Sequence, residues 1–195
     1  MINIDEKKFI KNYNPADFSR PSVAVDLIIC TMINADLHVL LIEREDHPFK
    51  GHLSLPGGFV RVGEDLSHGE DLDETAARVL AQKTHIPRDM VYLEQLYTFG
   101  HPARDPRTRV ISVSYFALIP PDLNRVIELN ADSQDQWVSI SSLISAGAGH
   151  VSLTLAFDHN QMIKTMLSRL ETKLELSEIA FALVPKTFTV SELRK

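Results

Sequence analysis

The strongest constraint on this chain is the run Val23 to Ile33, apolar and β-branched almost throughout, which reads as a β-strand. Asn34-Ala-Asp-Leu-His38 turns the chain into a second strand, Val39 to Glu43, and the two are expected to form a hairpin. The single cysteine, Cys30, lies inside the first run. A disulfide framework is therefore excluded, the thiol is expected to be a buried small hydrophobe, and a reducing compartment fits.

Further along, Leu53 to Val60 is extended but interrupted by Pro56-Gly57-Gly58, where the chain must bend and a ligand can approach bare backbone. From Leu72 the pattern changes. Thr75, Ala76, Val79 and Leu80 recur at helical spacing, with Asp71 or Asp73 placed to cap the start. Val91 to Phe99 and Arg109 to Ile119 read as strands, and Gln136 to Leu143 as a shorter one. Phe157 to Leu176 carries Ile163, Met166, Leu167, Leu170 and Leu174 on one helical stripe, with Asp158 in position to cap it. Strands interleaved with two helices predict an α/β sandwich-like domain rather than a bundle or an all-β barrel.

Composition narrows the function. The chain has 195 residues, 44% hydrophobic and 24% charged, which suits a globular fold, and its net charge of −6 argues against gripping a nucleic-acid backbone as a whole. A local basic cluster, Arg104, Arg107 and Arg109 in the Pro-rich loop His101 to Arg109, reads either as a solvated loop or as an anion site. The charged start, Met1 to Lys11, lacks the features of a signal peptide, and no apolar stretch approaches the roughly 18 residues of a membrane span. A cytoplasmic location without membrane contact is expected. At the other end, Thr189-Val-Ser-Glu192 has capping-box spacing, yet only Leu193, Arg194 and Lys195 follow, too few for a stable helix. The expectation is that the natural protein continues.

A diphosphate is held by a Gly-rich bend or helix N-terminus that presents N–H groups, and by cations that neutralise its oxygens. Leu55-Pro-Gly-Gly-Phe-Val60 followed by a helix offers the first requirement. This region resembles the Nudix family, whose box runs from a Gly through a Glu to an Arg-Glu pair, a Glu-Glu pair and a terminal Gly. Gly58, Glu64, Glu70 and Arg78 match in part, but the helix carboxylates fall on Val79, Gln82 and Lys83 and the terminal Gly on His85. Positions 79, 82 and 83 share one helical face, so an apolar group, an amide and an ammonium stand where a Mg²⁺ cage would form. No catalytic residue, metal ligand or cofactor is expected, and Lys83 is read as a substitute counter-charge for phosphate. Glu70, Asp71, Asp73 and Glu74 read as an acidic cluster at the helix start, and His159 as structural.

The segments His47 to Gly51, Leu55 to Val60, Tyr92 to Gly100, Arg104 to Arg107, Arg109 to Tyr115, Leu155 to His159 and Phe181 to Leu193 together resemble one branch of that family. This branch is the Nudix-related transcriptional regulators of NAD metabolism. The resemblance implies a Nudix-like sandwich of mixed β-sheet flanked by helices. It also implies a sensor at residues 1–150, a connecting long helix and strand at 151–187, and the start of a truncated winged helix-turn-helix at 188–195. The implied partners are ADP-ribose or a related nucleotide-diphosphate sugar, operator DNA through the missing C-terminal domain, and a second copy in a homodimer. The effector site carried over comprises Arg44, Gly57, Gly58, Phe59, Arg78, Lys83, Tyr97, Phe99, Arg104, Arg107 and Arg109, the aromatics facing base or ribose and the cations facing phosphate. The alternative is a Nudix diphosphatase that recruits Glu64, Glu70, Glu94 or Glu128 in place of the missing carboxylates.

Overall fold

A computed structural model describes residues 4–63, 69–123, 135–144, 153–176 and 178–183. Its centre is the strand β1 (Ser22–Ile33), which turns through Asn34 and Ala35, both at positive φ, into β2 (Asp36–Glu43). Cys30 faces Val39 and Ile33 faces Asp36, so the expected hairpin is formed. On its other edge β1 pairs in parallel with β6 (Val110–Ile119), and β6 pairs antiparallel with β5 (Tyr92–Phe99). Short strands complete the mixed seven-stranded sheet: β3 (Leu53–Ser54) and β7 (Gln136–Ser139) on β2, and β4 (Gly57–Phe59) on β1.

Both faces of the sheet are covered, which is why β1 is apolar almost without alternation. On one face Val25, Leu27 and Ile29 pack with Val113, Tyr115 and Ala117 against Ala76, Val79 and Leu80 of α2 (Leu72–Thr84). On the other, Ile28, Cys30, Phe116 and Leu118 pack against Met162, Ile163, Met166 and Leu170 of α4 (His159–Leu176). Fully burying a side chain of this size stabilises the fold by about 1.5–3 kcal/mol, so each helix is held by its apolar stripe. The α/β sandwich expected from the sequence is the fold observed.

Local chemistry explains the helix ends. Asp71 caps α2: its carboxylate accepts the Glu74 N–H at 2.7 Å and Glu74 returns the bond to the Asp71 N–H at 2.9 Å. At the other end His85 takes the left-handed conformation (φ 56°), the position the Nudix pattern gives to Gly.

Three readings of the sequence are corrected. Asp158 stands just before α4, but its carboxylate is drawn to Arg104. Gln136 to Leu143 is strand only to Ser139, after which α3 (Ile140–Ile144) begins. The strand expected after the long helix is a 3₁₀ helix, Glu178–Leu183. The long helix also packs into the core. An N-terminal helix, α1 (Ile4–Asn12), was not foreseen because its residues are mostly polar. The capping box at 189–192 and the segment 188–195 lie outside the described residues.

Candidate functional site

A cleft of about 240 Å³ opens beside β4 on the α4 side of the sheet. Its floor begins with a charge inside an apolar strand. Asp26 of β1 is 9% exposed, and a carboxylate so placed must be paired or coordinated. Arg104 meets it at 3.2 Å and also grips Asp158 through two bonds of 3.0 and 2.8 Å. The Ser112 hydroxyl donates to Asp26 at 2.6 Å. Burial disfavours the Arg104 charge, but the bonds from Asp158 and the attraction of both carboxylates more than offset this and raise its pKa. Arg104 therefore fastens β1 to the start of α4 and has little capacity left for a ligand.

His159 completes the floor. Its Nδ1 accepts the Leu55 N–H at 2.9 Å, and Nε2 lies 3.8 Å from Asp26. Burial lowers its pKa despite the two nearby aspartates, so the ring is held neutral, with the remaining proton on the side of Asp26. Gly57 is required here by close approach: a Cβ at this position would stand 2.3 Å from Asp26 Oδ1. Gly58 faces the opposite way, where a Cβ would meet Arg78 and Val79 of α2. The Gly-Gly pair is thus a strand segment between cleft and helix, the bend falling just before it.

The walls carry the accessible charge. Arg44 donates to the backbone oxygens of Pro48 at 2.7 Å and Asp46 at 3.4 Å, and forms no ion pair with a carboxylate among the described residues. Arg107 is bidentate with Asp105 at 3.0 and 2.7 Å, remains half-exposed, and stands 5.8 Å from the centre of the Phe59 ring. Phe59, 47% exposed, forms the outer lip. Such a wall offers guanidinium forks and an aromatic face, which suit phosphate oxygens and a planar ring.

Of the residues the sequence nominated, Arg44, Gly57, Gly58, Phe59, Arg104 and Arg107 come together in the cleft. The others lie outside its lining. Arg78 is bound to Glu70 at 2.6 Å and to the Phe59 carbonyl at 3.1 Å, bracing β4 from behind. Lys83 is half-buried on α2, on the far side of the sheet. Phe99 is part of the core next to α4, and Tyr97, 57% exposed, leans on it with ring centres 5.2 Å apart. Arg109 donates to the Gly100 carbonyl at 2.7 Å and closes the basic loop. Sequence reasoning missed Asp26, Asp105, Phe157 and the position of His159 in the cleft. The available signal was Asp26, an acid within an otherwise apolar strand.

The face of α2 where the Nudix pattern places metal ligands does not fit Mg²⁺. Val79 is buried in the core, the Gln82 amide oxygen accepts from Arg78 at 3.4 Å, and Lys83 is a cation. The nearby acids have structural partners: Asp71 and Glu74 in the capping box, Asp73 with the Tyr115 hydroxyl at 2.7 Å, and Glu70 with Arg78, which draws the Glu70 pKa down to about 2. Glu94 is engaged by Lys173 at 2.6 Å and Arg169 at 3.6 Å, whereas Glu64 and Glu128 lie outside the described residues.

Residues 23–164 match the family described as the NUDIX domain. The ADPR responsive transcriptional repressor NtrR of Acinetobacter baylyi is 33% identical over 189 residues, covering 97% of this chain and 70% of that protein. An ADP-ribose pyrophosphatase of Methanocaldococcus jannaschii is 31% identical over 162 residues, covering 83% and 80%. Shewanella oneidensis NrtR, crystallised with a 27mer DNA, is 34% identical with a TM-score of 0.71 over 88% of this chain and 72% of that one. Its NUDIX domain with ADP ribose gives 31%, 0.64, 85% and 98%. No helix among the described residues is long and apolar enough to cross a membrane.

Proposed function

Because the chain belongs to the NUDIX domain family, we propose that it is the effector-sensing domain of a DNA-binding transcriptional repressor, and that it binds ADP-ribose or a related nucleotide-diphosphate sugar without hydrolysing it. One observation carries this reading: the cleft is walled by arginines while the α2 face of the family's metal site holds Val79, Gln82 and Lys83. Arg44 and Arg107 receive the diphosphate and Phe59 lies against a planar ring, while Arg104 braces the floor. A cleft of about 240 Å³ is below the roughly 300–1,000 Å³ of a site that encloses its ligand, so part of a nucleotide sugar extends past the exposed Phe59. Lys83, Tyr97 and Arg109 are not assigned ligand contacts. The likeness to the Acinetobacter repressor and to Shewanella NrtR in its DNA and ADP ribose complexes supports the reading.

Operator contact is assigned to a winged helix-turn-helix beginning at residues 188–195, and the repressor is proposed to act as a homodimer. Effector binding changes DNA affinity only by as much as the effector prefers one of two arrangements of sensor and reader. Arg104 ties the cleft floor to the start of α4 through Asp158, which makes α4 the element able to carry that preference.

A hydrolase is the second reading, favoured by the 31% identity to the Methanocaldococcus pyrophosphatase. Calorimetric titration of ADP-ribose in EDTA separates the two. Saturable binding without divalent metal supports the sensor, and strict dependence on Mg²⁺ contradicts it.

A further inference from the structure

The turn before α4 stores backbone strain beside the cleft. Phe157 has φ 55° and Phe49 has φ 63°, left-handed conformations that bulky side chains rarely adopt. Their rings touch, with centres 4.9 Å apart, and the Phe157 ring also lies 5.3 Å from that of His159. Such conformations are costly for bulky residues and persist where the surrounding structure over-determines them, often at ligand sites. What surrounds Phe157 is charge. The Arg44 guanidinium stands 4.8 Å from the centre of its ring and the Arg107 guanidinium 5.9 Å.

Two like charges therefore converge on one aromatic side chain. Burial lowers the pKa of Arg44 and the charge of Arg107 lowers it further, while Asp105, Asp46 and Asp26 act in the opposite sense. The ring quadrupole offsets part of that repulsion. Asp105, paired with Arg107, offsets more of it, and an anion between the guanidiniums would add to that.

We infer that Phe157 is a positioning residue: its left-handed turn presents the ring that holds Arg44 and Arg107 convergent, so the anion site is formed before the ligand arrives. This rests on the reading that a diphosphate occupies the cleft. Its physical advantage is that the arginines lose their side-chain freedom on folding and not on binding. The segment Leu155 to His159 carries the family resemblance, but the contact of Phe157 with the two arginines joins residues far apart in the chain.

A double-mutant cycle on ADP-ribose affinity tests it, by calorimetry in EDTA with wild type, Phe157→Leu, Arg44→Gln and the double variant, and Phe157→Tyr as the conservative control. Phe157→Leu should weaken binding about tenfold, within the range of a desolvated cation–π contact, and Phe157→Tyr should keep it. If Phe157 acts through Arg44, the double variant loses clearly less than the product of the two single losses. Multiplicative losses would mean that the ring touches the ligand directly, and an unchanged Phe157→Leu would mean that it does nothing; either overturns the inference. Phe157→Asn tolerates the left-handed turn and serves if the Leu variant melts early. Failure of wild type to bind ADP-ribose would instead overturn the functional reading beneath it.

Discussion

The two faces of β1 are built differently. Toward α2, Val25, Leu27 and Ile29 meet Val79 and Leu80, and the positions that the Nudix pattern gives to metal ligands hold Val79, Gln82 and Lys83. Toward α4, Asp26 meets Arg104, Asp158, Ser112 and His159, and the charge of the cleft is built on that cluster. Alternation along one strand separates them, since adjacent residues point to opposite faces. One face can therefore lose its acids while the other keeps its arginines. On the proposed reading, binding and hydrolysis are separable because the cleft lies on one side of the sheet and the α2 positions on the other.

The largest effect expected from breaking this contrast is at Arg104. Arg104→Met leaves the buried Asp26 and the half-buried Asp158 without their counter-ion and should lower stability by about 3–5 kcal/mol, read by urea unfolding. A loss below about 1 kcal/mol would show the cluster to be solvated and incidental. Next is a paired comparison across the sheet. Arg44→Ala should weaken ADP-ribose about tenfold to a hundredfold, the range for a hydrogen bond to a charged group, whereas Lys83→Ala should leave affinity unchanged. Equal losses would return Lys83 to the site and erase the distinction between the faces.

Smaller effects sharpen the α2 side. His85→Gly relieves a left-handed residue at the helix end and should raise stability by about 0.5–1 kcal/mol, seen as a higher midpoint in urea. On the α4 side the prediction concerns pH. The folded pKa of His159 lies below the usual value of about 6.5, so between the two only the unfolded chain takes up the proton. Stability should therefore decline as pH falls below about 6.5, and the decline should be shallower in His159→Gln. A variant with the same pH profile as wild type would show that the buried imidazole is not the group responsible.

Much of the fold was legible because it rests on short-range pattern. The runs at Val23 and Arg109, the helical stripe of Thr75, Ala76, Val79 and Leu80, and the Asp71 cap all appear where the sequence puts them. The polar α1 carries no such stripe and was missed, and the segment after α4 is too short to tell a strand from a 3₁₀ helix. The candidate site was legible mainly where charge and glycine cluster locally, as at Gly57, Gly58, Arg104 and Arg107, with Arg44 and Phe59 beside the glycine segment. Its floor depends on partners far apart in sequence: Arg104 is 78 residues from Asp26, and Ser112 is 86. That Lys83 lies outside the cleft lining was hidden for a related reason, since helix spacing gives the face it shares with Val79 and Gln82 but not the side of the sheet on which the helix packs.

Phosphorus NMR of ADP-ribose mixed with the protein, first in EDTA and then with excess Mg²⁺, tests the central separation most directly. The expected result is a shifted or broadened diphosphate signal in EDTA and no growth of phosphomonoester signal after Mg²⁺ is added. Unperturbed diphosphate in EDTA, or phosphomonoester accumulating at a catalytic rate with Mg²⁺, would contradict it.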